Sequence, residues 1–137
     1  MENGCSLSER DLARLRGVAR EEPRLAAIYI VGEPRPSRGC DLAVLLTEVL
    51  PPSDRVDLEL AIGDALTVGR IELIDLRRRS LVFRFGVVDR GDLIYVGQPD
   101  ALATFIEETL ARYAAFYPLL EALYWKVETR PLAEDKL

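Results

Sequence analysis

The sequence predicts an α/β domain of the α+β type, in which helices pack on a mixed four-stranded sheet. Three observations predict it. Short runs rich in β-formers, such as Leu25 to Val31 and Cys40 to Leu46, alternate with segments of helical periodicity. The connection between those two runs is eight residues long, too short for a parallel crossover, so the first two strands are expected to be antiparallel neighbours. The remaining strands follow helices, which brings parallel pairing into the same sheet.

The elements follow in order. Ser6-Leu7-Ser8-Glu9 has the form of a capping box with Ser6 as N-cap, and Leu12, Leu15 and Val18 continue a helix to about Glu21, ended by Pro23. Strand one is Leu25 to Val31. Gly32 to Gly39 holds glycines at both ends and two prolines, and reads as a loop. Strand two is Cys40 to Leu46. A second helix starts near Pro51, with Ser53 as a candidate N-cap, carries Leu58, Ile62 and Ala65 on its apolar face, and closes at Gly69. Arg70 to Leu76 reads as strand three. Leu81, Val82, Phe85 and Val88 mark a third helix ending near Gly91, and Asp92 to Val96 is strand four. Pro99 opens a long final helix with the stripe Leu102, Phe105, Ile106, Leu110, Tyr113, Tyr117, Leu120, Tyr124 and Val127, which Pro118 is expected to kink or split.

With 137 residues, 49% hydrophobic and 30% charged, the chain fits one globular domain spanning residues 1–137. Its formal net charge of -5 gives no general field toward nucleic acid, so nucleic-acid binding is not expected. The polar N-terminus and the absence of a long apolar run point to a cytoplasmic protein with no membrane contact, in which Cys5 and Cys40 are expected to be reduced thiols. The chain contains no histidine. That excludes Ser-His-Asp and Cys-His catalysis, His-ligated zinc and histidine acid–base chemistry, and leaves carboxylates as the ligands for any hard cation.

Three segments, Ile28-Tyr29-Ile30-Val31-Gly32, Cys40-Asp41-Leu42-Ala43-Val44-Leu45-Leu46 and Ile71-Glu72-Leu73-Ile74-Asp75-Leu76, together with the tail from Phe105 to Leu119, resemble the minimal nucleotidyltransferases. These are small relatives of the polymerase-β-type nucleotidyltransferase fold, typically the antitoxin half of pairs with HEPN-domain toxins. The resemblance implies a Gly-Ser turn after strand one for the nucleotide phosphates. It also implies an Asp-x-Asp pair opening strand two and a third carboxylate on the next strand, together holding Mg²⁺ for reaction with ATP.

This chain departs from that pattern. Gly32 is kept, but Glu33 stands at the serine position, where its charge would repel phosphate. Gly39 stands at the first aspartate, Asp41 at the second, and Glu72 at the third carboxylate. Asp41 and Glu72 are therefore the residual catalytic and metal-ligand candidates. Each also has a plain reading, Asp41 as a strand-start acid bonding loop amides and Glu72 as a solvent-facing strand residue. Gly32, Glu33, Arg35, Ser37 and Arg38 are the candidate substrate-binding positions, the arginines being phosphate contacts or solvated loop charges. Asp75 lies on the opposite strand face from Glu72. Arg77-Arg78-Arg79 with Arg84 and Arg90 is one basic cluster, a partner contact or a solvated run.

The last part of the final helix has apolar groups on nearly every side. Leu119, Leu123 and Trp125 are candidates for a partner interface, with burial in the domain core as the alternative. The resemblance implies an antitoxin-like, catalytically impaired protein that pairs with a HEPN-domain protein or with a second copy of itself. The alternative is an active enzyme moving AMP from ATP to a protein hydroxyl, with Mg²⁺ and ATP as cofactors. A module that binds nucleotide without reaction is a third reading.

Overall fold

The computed structural model describes residues 7–31, 39–67 and 70–128, with side chains described to residue 123. Its elements run in the order α1 (Glu9–Ala19), β1 (Leu25–Val31), β2 (Cys40–Leu46), α2 (Pro52–Ala65), β3 (Ile71–Asp75), a short 3-10 turn (Leu76–Arg78), α3 (Leu81–Arg90), β4 (Asp92–Val96) and α4 (Pro99–Glu128). The sheet order is β3-β2-β1-β4. β1 is antiparallel to both β2 and β4, and β2 is parallel to β3. This is the mixed four-stranded sheet that the element order predicts.

Strand alternation sorts the core into two layers. Ile28, Ile30, Cys40, Leu42, Val44, Leu46 and Leu73 face α1 and α2, where they meet Leu15, Ala19, Leu58 and Ile62. Tyr29, Ala43, Leu45 and Ile74 face α3 and α4, where they meet Val87, Leu102 and Phe105. β1 and β2 are the inner strands and are covered on both faces. That is why both read as unbroken apolar runs rather than as alternating ones.

Local chemistry moves several boundaries. The N-cap of α1 is Ser8, not Ser6, and its hydroxyl accepts from the Asp11 amide at 3.1 Å. Asp11 lies at the third helical position and is itself buried, accepting the Thr67 hydroxyl at 3.0 and 3.2 Å. At α2 the N-cap is Pro51 and has no side-chain bond, so Ser53 lies inside the helix, where Pro52 supplies the preset first φ. β3 stops at Asp75 because the Asp75 carboxylate accepts the Arg77 amide at 3.0 Å and starts the 3-10 turn. Ser80 caps α3 in the same way through the Phe83 amide.

α4 is one continuous helix of 30 residues through Pro118, so the expected split does not occur. The proline leaves the Ala114 carbonyl without its intrahelical donor, and Ala114 is exposed, so water can satisfy it. The helix is about 45 Å long against about 23 Å for a seven-residue strand. It therefore outruns the sheet. Leu102, Phe105 and Thr109 are buried, and beyond Thr109 no described residue of α4 is fully buried. The alternative in which the second half of the helix folds into the core is thereby set aside.

Cys40 is almost fully buried and disulfide-bonded, which corrects the expectation of a reduced thiol at that position. No helix among the described residues is long and apolar enough to cross a membrane.

Candidate active site

The candidate acids sit at one end of the sheet, where β1 finishes and β2 and β3 begin. Asp41 is the second residue of β2 and Glu72 the second of β3, and the parallel ladder makes them register partners. On the other side Asp41 pairs with Val31, the last residue of β1. Alternation places Asp41 on the face that carries Ala43 and Leu45, and Glu72 on the face that carries Ile74, so both acids share the α3/α4 side. Asp41 is half-buried and Glu72 is exposed. Adjacent strands stand about 4.8 Å apart, which brings the two carboxylates to neighbouring positions at the mouth of the sheet.

Tyr29 lies on the same face, one alternation step back from Val31, and burial pushes its phenol above the usual tyrosine range. Asp75 is on the opposite face, buried, and engaged with the Arg77 amide. The structure therefore brings Asp41 and Glu72 together and keeps Asp75 away from them.

Gly39 precedes β2 with φ +93°, in the region that favours glycine. The next amide, that of Cys40, donates to the Arg70 carbonyl oxygen at 2.9 Å. A Cβ on Gly39 would overlap that same carbonyl oxygen and lie 2.8 Å from its carbon. At the position where the resemblance implies the first aspartate, a side chain would thus have no room. The missing acid is visible in the sequence, but this close approach is not. A glycine directly before an apolar strand was the available signal.

The positions Gly32, Glu33, Arg35, Ser37 and Arg38 lie outside the described residues. Among the described residues no group of three or more histidine, cysteine, aspartate or glutamate side chains gathers where a cation could be held. Two open grooves, of about 520 and 300 Å³, lie elsewhere. One runs between α1 and α2 along Arg14, Gly17 and Asp64, and the other along the outer edge of β4 beside Arg16 and Arg20.

The basic cluster read from the sequence is dispersed. Arg77 Nε donates to the Leu46 carbonyl at 2.7 Å, and the Arg79 guanidinium lies over the Phe83 ring at 5.2 Å. Arg84 Nε is buried with no hydrogen-bond partner among the described residues.

On α4, Leu119 and Leu123 are 63% and 60% exposed, one turn apart on the same side of the helix. Around the helix from them, Tyr113 stacks on Phe85 of α3 with centroids 3.8 Å apart, and Tyr117 tilts against Tyr113 at 5.9 Å. Trp125 lies where side chains are not described.

No protein-family model matches the chain, and no curated protein matches it. Solved structures do. A structure of the toxin-antitoxin pair MntA-HepT matches at 25% identity and a TM-score of 0.66, covering 89% of this chain and 100% of the other. The chain has the minimal nucleotidyltransferase fold. A tri-AMPylated Shewanella oneidensis HEPN toxin in complex with its MNT antitoxin matches at 26% identity and a TM-score of 0.65, covering 87% of this chain and 97% of the other. A toxin-antitoxin complex with AMP-PNP matches at 25% identity and a TM-score of 0.66, covering 86% and 98%. The end of the sheet that carries Asp41 and Glu72 is where the sequence resemblance implies catalytic acids, and among the described residues those two stand there.

Proposed function

We propose that this chain is an antitoxin-like binding partner of a HEPN-domain protein, built as one domain over residues 1–137 on a nucleotidyltransferase fold with an impaired catalytic edge, and acting in the cytoplasm. The observation that carries the reading is the near-complete overlap with MntA-HepT and MNT–HEPN structures, joined to an α4 whose outer half leaves Leu119 and Leu123 in solvent. Exposed leucines on an overhanging helix supply apolar area that a partner would cover.

The residues present do not fit the cation set that the family resemblance implies. Asp41 and Glu72 are two adjacent carboxylates, and Gly39 contributes none. A two-cation arrangement needs an acid that bridges both ions, and no acid among the described residues stands at that place. What the chain's own residues do is hold two like charges at the sheet mouth and present a partner surface on α4.

Co-expression with a HEPN-domain protein encoded beside this chain tests the proposal. The expected result is a stable complex on size exclusion and relief of the HEPN protein's effect on growth. If the two proteins elute separately and growth stays inhibited, the reading fails. A homodimer of this chain with no affinity for the HEPN protein also removes it.

A second reading starts from the register pairing of Asp41 with Glu72 and adds Glu33 or another acid as the replacement ligand: transfer of AMP from ATP to a protein hydroxyl, with Mg²⁺ and ATP as cofactors. Labelled ATP incubated with Mg²⁺ and both proteins decides it. Incorporation that Asp41→Ala abolishes supports transfer, and incorporation at background removes it.

A further inference from the structure

We infer that the absence of an acid at position 39 is built into the backbone, so that this edge of the sheet is committed to a form that one substitution cannot reactivate. The inference deepens the impaired-site reading and rests on it only for the meaning of activity; its steric part stands alone.

The Cys40 amide donates to the Arg70 carbonyl at 2.9 Å, directly before the register pairs Cys40–Ile71 and Asp41–Glu72. Gly39 reaches this rung with φ +93° and lies close against Arg70. A Cβ there would run into the Arg70 carbonyl oxygen, would lie 2.8 Å from the carbonyl carbon, and would be 3.0 Å from the Arg70 Cβ. The first two obstacles are backbone atoms of a paired segment and have no rotamer by which to move aside.

Aspartate and asparagine tolerate positive φ better than other residues with side chains. That tolerance does not help here, because the conflict is with the backbone of Arg70, the residue before β3, rather than within the residue itself. Relief requires moving the head of β2 away from Arg70. The same movement breaks the Cys40–Arg70 hydrogen bond and shifts Asp41 from Glu72. An acid introduced at position 39 would thus displace the two acids with which it would have to act.

The test uses the full chain with Gly39→Ala and Gly39→Asp. Three quantities are measured: melting temperature, hydrogen exchange at the Cys40 amide, and incorporation of labelled AMP from ATP with Mg²⁺. Both variants are expected to melt about 5 °C or more below the parent, a shift in the range that a single clash produces in a domain of this size. The Cys40 amide is expected to lose protection, and AMP incorporation is expected not to rise above the parent's level.

Gly39→Asp that melts within about 2 °C of the parent with Cys40 still protected overturns the inference. So does Gly39→Asp that gains AMP transfer which Asp41→Ala then abolishes. If Gly39→Asp does not fold, Gly39→Ala decides: melting like the parent overturns the steric claim, and a matching loss upholds it. Failure to bind a HEPN-domain protein would remove the partner reading and leave these outcomes unchanged.

Discussion

Asp41 and Glu72 stand side by side across the parallel β2–β3 pair, two carboxylates in direct register on the same face of the sheet. Like charges directly opposite on adjacent strands destabilise a sheet by roughly 0.2 to 1 kcal/mol. The Glu72→Gln substitution keeps the shape and removes the repulsion. It is expected to raise unfolding free energy by a few tenths of a kcal/mol up to about 1 kcal/mol, measured by urea denaturation. The gain should shrink in about 1 M salt, where the Debye length falls to about 3 Å. An unchanged or reduced stability would mean that the two groups do not repel in the folded state.

The face on which Leu45 lies gives a second prediction. Leu45 is fully buried on an inner strand, packed in the layer that holds Val87, Leu102 and Phe105. Leu45→Ala leaves a cavity that strands covered on both faces cannot collapse, and a loss of about 2 to 5 kcal/mol is expected. Chemical denaturation checks it. A loss below about 1 kcal/mol would contradict the two-layer packing.

Much of this was legible in the sequence, and the reason is specific. β1 and β2 are the inner strands, so both of their faces are apolar, and runs such as Leu42 to Leu46 mark them without ambiguity. The short loop between them required antiparallel pairing. The caps were less legible because Ser6 and Ser8 both precede Glu9, and only the folded chain shows the Ser8 hydroxyl on the Asp11 amide. The register of Asp41 with Glu72 depends on a parallel pairing between residues 31 positions apart, which no local pattern encodes. The same holds for Gly39: its missing side chain is visible in the sequence, but the Arg70 carbonyl that forbids one is not.

The buried Asp11 carboxylate carries a third prediction. It takes its side-chain hydrogen bond from the Thr67 hydroxyl, which ties the first turn of α1 to the segment leading into β3. Thr67→Val preserves volume but leaves the carboxylate without that donor. A buried acceptor stripped of its partner costs about 1 to 3 kcal/mol. Thermal and urea unfolding should both register the loss. The double variant Asp11→Asn with Thr67→Val should be less than the sum of the two single losses, because the pair shares one interaction.

Glu22 supplies a pH dependence. The Arg24 guanidinium donates to its carboxylate at 2.7 and 3.0 Å and holds the Glu22 carboxyl below the usual range, while Arg24 also reaches Asp54. A carboxyl depressed by folding contributes stability above its unfolded pKa and loses it as pH falls through the depressed folded value. Arg24→Ala is therefore expected to lower the melting temperature at pH 7. The difference from the parent should close as the solution is acidified through the carboxylate range. A difference that is constant with pH would assign the effect of Arg24 to packing of its stem rather than to the ion pair.

The outer half of α4 gives the last prediction, and it separates partner binding from folding. Leu119 and Leu123 lie one turn apart and are more than half exposed, whereas Leu102 and Phe105 at the other end of the same helix are buried. Truncating a buried residue costs stability, and truncating an exposed one changes it by no more than about 0.5 kcal/mol. The double variant Leu119→Ser with Leu123→Ser should therefore melt like the parent. If the proposed HEPN-domain partner covers this stripe, the same variant should weaken the complex by at least tenfold, since central apolar contacts carry about 1 kcal/mol or more each. Calorimetric titration against the HEPN protein measures the second quantity, and the melting curve measures the first. Unchanged affinity would place the partner on another face of the domain, and a lowered melting temperature would show that the stripe packs within the chain itself.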